Sequence, residues 1–179
     1  MEKIIIDADR FLRTISRISH EIIEKHQDFD NVILVGVKRR GAEIAELIQR
    51  RIEELNAVSL PMMELDITFY RDDLEYVEPE NPTPVYSGAS SYMNIQGKEV
   101  ILIDDVLFTG RTIRAAMDAL TDFGRAAKIE LVILVDRGHR ELPIRADYVG
   151  KNVPTSRDEQ VQVRTLKFDG CYEVVLLPK

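Results

Sequence analysis

Two adjacent carboxylates, Asp104 and Asp105, follow the apolar run Val100-Ile101-Leu102-Ile103, and Thr109-Gly110-Arg111-Thr112 comes shortly after them. Each part has a chemical use. A helix N-terminus offers unpaired backbone amides and a partial positive charge, which suits a phosphate dianion. Thr109 and Thr112 add hydroxyl donors, and Gly110 lets the backbone approach an anion closely. The carboxylates would repel phosphate but suit ribose hydroxyls or a magnesium shell. Donors at one end and acceptors at the other fit a phosphorylated sugar. A plain strand-to-helix turn with polar caps is the bland alternative, but a buried strand rarely ends in two neighbouring carboxylates without a ligand.

A second cluster, Lys38-Arg39-Arg40-Gly41, follows the apolar run over 31–37. Arginines hold pyrophosphate through charge-assisted, often bidentate hydrogen bonds. Cations are unfavourable at a helix N-terminus, so an anionic ligand accounts for them better than a solvated surface turn. The glycine spacing from Gly36 to Gly41 matches a P-loop, but Ala42-Glu43 stands where Lys and Ser/Thr are required, and no Gly-x-Gly-x-x-Gly exists. A third cluster lies over 137–151. Arg137, Arg140, Arg145 and Lys151 face only Glu141 and Asp147, a local charge of +2 in a chain of net charge −7. Such a basic island could select RNA phosphates, or its arginines could pair locally in a solvated loop.

Positioning these clusters falls to alternating elements. Phe11, Leu12, Ile15, Ile18, Ile22 and Ile23 recur at helical spacing, with Asp7 or Asp9 able to cap the start. Runs over 31–37, 100–103 and 129–135 read as strands buried on both faces, and helices are expected over 41–55 and 111–123. Strands are also expected over 60–70, 161–166 and 172–177, with a polar, proline-rich loop from 71 to 92. Buried strands alternating with amphipathic helices imply an α/β fold, a single doubly wound domain over 1–179 with a central parallel sheet flanked by helices. In such sheets ligands sit beyond the carboxyl ends of the strands, where strand order reverses.

Composition bounds the function. The 179 residues are 45% hydrophobic and 31% charged, a globular balance. No apolar run approaches the roughly 18 residues of a membrane span. The first residues read as a strand or staple rather than a signal peptide. The single Cys171 excludes an intrachain disulfide framework and fits a reducing, cytoplasmic setting. The net negative charge excludes blanket attraction to nucleic acid or anionic membrane.

The stretch from Val100 to Thr112 resembles the phosphoribosyl-pyrophosphate (PRPP) motif of type I phosphoribosyltransferases. That resemblance implies that Asp104 and Asp105 hold the ribose hydroxyls, while Val106, Leu107, Phe108, Thr109, Gly110, Arg111 and Thr112 cradle the 5′-phosphate. Arg39, Arg40 and Gly41 would form the pyrophosphate loop, with Asp104, Asp105 and Arg40 as the catalytic set. Magnesium would accompany PRPP, reached directly or indirectly by Asp104 and Asp105. Residues 135–152 and 65–74 are similar to one family within this class, the PyrR family of pyrimidine-operon attenuators and uracil phosphoribosyltransferases. The similarity runs from about residue 4 to 163, leaving the tail from Arg164 outside it. Arg39 departs from the family's usual threonine.

The resemblance implies that uracil and PRPP give UMP and pyrophosphate, with Arg137 and Val161 on the uracil side and the loop over 71–92 closing on PRPP. A small hood would occupy about 137–160. Asp136 is the nearest candidate for a general base. Ser16, Arg17, His20, Arg140, Arg145 and Lys151 would form the face for pyrimidine-operon leader RNA, bound more tightly with UMP, on a homodimer or homotetramer. A plain salvage enzyme without RNA regulation, or one for hypoxanthine-guanine or orotate, is the alternative.

Overall fold

A computed structural model describes residues 2–70 and 93–178; the expected loop over 71–92 lies outside the described residues. Five parallel strands form the main sheet: β2 (Val32–Val37), β3 (Met62–Leu65), β4 (Glu99–Leu107), β5 (Lys128–Asp136) and β6 (Tyr148–Asn152). Their spatial order is β3-β2-β4-β5-β6. Successive strands step outward in opposite directions on either side of the β2–β4 junction. The crevice expected at such a reversal therefore opens between the ends of β2 and β4.

Both faces of the sheet are covered. Helix α1 (Ala8–Lys25) buries Phe11, Ile15, Ile18 and Ile22, and the Asp7 side chain caps it by accepting from the Arg10 amide at 2.9 Å. Helix α2 (Arg40–Asn56) buries Ile44, Ile48 and Ile52 beside it. These pack against Ile101 and Ile103 of β4, whereas Val100 and Leu102 point to the other face, onto Ile113, Ala116 and Leu120 of α3 (Arg111–Leu120). The alternation along β4 is the two-residue period of a strand with a core on each side.

The structure corrects several expected boundaries. Strand β4 extends past residue 103 to Leu107, because its ladder with β5 continues through Asp104–Ile133 and Leu107–Asp136. Asp104 and Asp105 thus lie within the strand, not in the loop beyond it. The strand expected over 60–70 ends at Leu65, where Asp66 Oδ1 accepts from the Thr68 amide and hydroxyl at 3.0 and 2.6 Å, forming an Asx-type turn. Helix α3 stops at Leu120, followed by a 3-10 turn over Thr121–Phe123. Strand β6, with its polar Lys151-Asn152 end, carried no apolar signal.

A second, antiparallel sheet of order β1-β8-β7 joins both ends of the chain: β1 (Lys3–Ile6), β7 (Glu159–Arg164) and β8 (Glu173–Pro178). This small separate layer is drawn from residues 3–6 and 159–178, and it overlaps the segment 137–160, expected as a hood, at Glu159 and Gln160. Between β7 and β8 a short helix, α4 (Leu166–Asp169), starts at Leu166, so the strand expected to reach 166 ends two residues earlier. No helix among the described residues is long and apolar enough to cross a membrane.

Candidate active site

The cation loop leaves β2 at Val37 and enters α2 at Arg40, and the Lys38–Arg39 peptide is cis. Gly41 sets how near this loop comes to the acids. A Cβ at Gly41 would stand 2.7 Å from the Ile103 carbonyl oxygen and 3.1 Å from Asp104 Cα. Only glycine permits that approach, and it puts Arg40 beside Asp105, whose charge helps raise the arginine's pKa behind the larger effect of Asp169. Asp169 accepts from Arg40 Nε at 3.1 Å and from Nη2 at 2.9 Å. Arg39 is exposed at the rim.

Asp104 is buried, and its Oδ1 accepts from the Asp105 amide at 2.9 Å; Asp105 Oδ1 accepts from the Val106 amide at 2.8 Å. Burial pushes the Asp105 carboxyl above the ordinary range, against the opposing pull of the Val106 amide, Asp104 and Arg40. A half-buried acid poised in this way gains most from a ligand that donates hydrogen bonds or brings positive charge. No group of three or more metal-binding side chains occurs among the described residues. Magnesium is commonly held by one or two carboxylates plus substrate phosphates, so this pair of hard oxygen donors fits an ion that arrives with a diphosphate.

Two cavities meet along this strand end. One, of about 400 Å³, is lined by Lys38, Arg39, Arg40, Asp66, Thr68, Asp104, Asp105 and Thr112, among others. The next, of about 290 Å³, is lined by residues 106–113 and Glu141. Val106 and Thr112 line both. Gly110, with φ +95°, turns the chain into α3, a conformation that side chains resist. The loop is braced from outside: the Glu141 and Leu142 amides donate to the Thr109 carbonyl at 2.9 and 3.1 Å, and Arg111 pairs with Glu141 at 2.9 Å.

The other expected residues spread more widely. Arg137 is buried; its Nε donates to Thr155 Oγ1 at 3.1 Å, its Nη2 to the Ser156 and Glu159 carbonyls at 3.0 and 2.9 Å, and its guanidinium lies 4.1 Å from the Phe108 ring centroid. Desolvation lowers its pKa. Val161 is buried in the small sheet, opposite Leu176, and is absent from the linings of both cavities. Asp136 accepts from Arg140 and from the Gly138 amide, which ties it to the loop.

Arg140 also donates to the Ile144 and Phe108 carbonyls, so its guanidinium holds the loop together. Arg145, His20 and Lys151 are exposed, and Ser16 accepts from Arg51 at 3.0 Å. Arg17 donates to the Val149 and Gly150 carbonyls at 3.1 and 2.5 Å, which fastens α1 to β6 and puts Arg17 and Lys151 on one concave surface of about 270 Å³. Arg10 and Arg13 line the same surface; their positions, seven and four residues ahead of Arg17 on the helix, were the available signal. The sequence reading also missed Asp66 and Thr68, which stand after a strand end, and Asp169, which no pattern marked.

Comparison with known proteins fits this geometry. A family model described as phosphoribosyl transferase domain matches residues 3–169. The chain is 80% identical over 179 residues, the full length of both, to the bifunctional protein PyrR of Haemophilus influenzae. It is 77% identical over 177 residues, 99% of this chain and 98% of the relative, to that of Pasteurella multocida. Among solved structures, hypoxanthine phosphoribosyltransferases share the fold. One from Staphylococcus aureus has TM-score 0.70 at 20% identity, covering 99% of this chain and 92% of its own. One from Trypanosoma cruzi has TM-score 0.70 at 20% identity, covering 99% and 97%. The chain belongs to the phosphoribosyltransferase family and, within it, to the bifunctional PyrR proteins.

Proposed function

We propose that the protein transfers the phosphoribosyl group of PRPP to uracil, releasing pyrophosphate and forming UMP, and that UMP strengthens its hold on pyrimidine-operon leader RNA. The observation that carries the enzymatic half is a single cleft lined at one end by Arg39 and Arg40, in the middle by Asp104 and Asp105, and at the other end by the α3 N-terminus. In this reading the α3 amides, Thr109 and Thr112 hold the 5′-phosphate, the two acids accept from the ribose hydroxyls, and the arginines meet the pyrophosphate. Displacement at the ribose C1 builds positive charge on the ring and negative charge on the leaving group. Asp104 and Asp105 lie nearest the first charge, and Arg39 and Arg40 nearest the second, so positioning and electrostatics do most of the work. Asp104 and Asp105 would hold a magnesium ion arriving with the substrate, which would supply charge neutralisation of the diphosphate. Arg137, stacked on Phe108, forms a rigid wall on the base side, and Asp136 next to it is the candidate acceptor for the proton leaving uracil N1.

The regulatory half rests on the concave face shared by α1 and β6. It gathers Arg10, Arg13, Arg17 and Lys151, with His20 and Arg145 exposed on the same two elements or just before them. Cations on an acidic chain bind nucleic acid locally and with steep salt dependence. Arg140 supports this face only by holding its loop. A cytoplasmic homo-oligomer is the setting this reading implies. Incubating the protein with PRPP, magnesium and uracil, hypoxanthine, guanine or orotate in parallel tests the enzymatic half. UMP from uracil is expected at the highest rate, and a faster reaction with a purine would replace uracil in the reading.

A further inference from the structure

Arg40 is gripped from behind by a part of the chain outside every motif read above. The Asp169 carboxylate, at the end of α4, takes both Arg40 Nε and Nη2, at 3.1 and 2.9 Å. It is itself held, since Oδ2 accepts from the Thr165 amide at 2.9 Å and the Asp169 amide donates to the Thr165 carbonyl at 2.7 Å. The turn is in turn pinned to α2. The Lys167 amide and the Tyr172 hydroxyl donate to the buried Glu43, at 3.2–3.3 Å and 3.2 Å, and the Lys167 ammonium pairs with Glu46. A guanidinium held through two nitrogens by one carboxylate has its plane fixed, so little rotamer freedom remains to be lost when its other edge meets an anion.

We infer that Asp169 is a positioning residue that orients Arg40 toward the departing pyrophosphate, making this one carboxylate of the C-terminal turn part of the transferase site. The inference rests on the transferase reading above. The ion pair also keeps Arg40 fully cationic and Asp169 ionised, as the upward shift of the one and the downward shift of the other indicate.

The test is calorimetric titration with magnesium pyrophosphate, together with steady-state kinetics, on the full-length protein and its variants. Asparagine keeps an acceptor for the Thr165 amide, so Asp169→Asn removes the charge while preserving the turn. It is expected to weaken pyrophosphate binding about tenfold and to raise the KM for PRPP in step, leaving the KM for uracil in place. Asp169→Glu recovers most of the loss. Lys167→Ala, which removes only the pairing with Glu46, leaves pyrophosphate affinity unchanged. In an Arg40→Ala background, Asp169→Asn adds nothing, because its effect passes through Arg40. The inference is overturned, with the transferase reading intact, by unchanged pyrophosphate affinity in Asp169→Asn, by equal losses in both backgrounds, or by an equal loss in Lys167→Ala. A wild-type protein that binds no magnesium pyrophosphate overturns the transferase reading and this inference with it.

Discussion

Replacing Gly41 by alanine is expected to lower kcat/KM for phosphoribosyl transfer about a hundredfold, the scale that follows when reacting groups are misplaced by about an ångström. The added methyl would stand 2.7 Å from the Ile103 carbonyl and 3.1 Å from Asp104. Neither can yield readily, because Ile103 sits mid-sheet, paired with Gly36 on one side and Val132 on the other. The start of α2 must move instead, carrying Arg39 and Arg40 away from the acids. The clash is with backbone, so the displacement costs stability beyond the roughly 0.5–1 kcal/mol by which alanine favours a helix over glycine, and the melting temperature should fall together with the activity. Kinetics and a melting curve on the same preparation check this. Undiminished activity would show that the register of α2 against β4 does not set the site.

The second large effect is expected at Asp105. Asp105→Asn keeps the shape and an acceptor for the Val106 amide but removes the charge, and kcat/KM should fall at least about tenfold, a loss of about 1.4 kcal/mol. The pH profile gives a sharper signature. Because burial raises the Asp105 pKa, the protonated form persists above the usual carboxylate range. The kcat/KM of the wild type should therefore climb with pH through that raised value, reporting the free enzyme, and this acid limb should be missing in Asp105→Asn. Wild-type activity in the variant would remove Asp105 from the assigned role.

Much of this arrangement is legible in the chain because buried strands and their exits carry strong local signals. The runs ending at Val37 and Ile103 are apolar enough to be strands covered on both faces, and the residues just beyond 37 and 103 are Arg39, Arg40, Asp104 and Asp105. The boundary at 103 was drawn too early because a hydrophobic pattern stops at the first charge, whereas a ladder hydrogen-bonds through the backbone whatever the side chain. Strand β6 escaped for the same reason. Asp169 was illegible because its role depends on a contact 129 residues away, which no local pattern encodes. Arg140 and Arg137 looked like free cations in a basic stretch; their guanidiniums are largely spent on backbone carbonyls and, for Arg140, on Asp136.

The measurement that bears most directly on a bifunctional protein is a gel shift with a pyrimidine-operon leader hairpin, run with and without UMP at fixed salt, on the wild type and on Lys151→Ala. The account predicts that UMP tightens binding, that added salt weakens it, and that the substitution weakens it further while leaving UMP synthesis unchanged. Binding that ignores UMP, or none under either condition, would contradict the coupling of the cleft to the basic face.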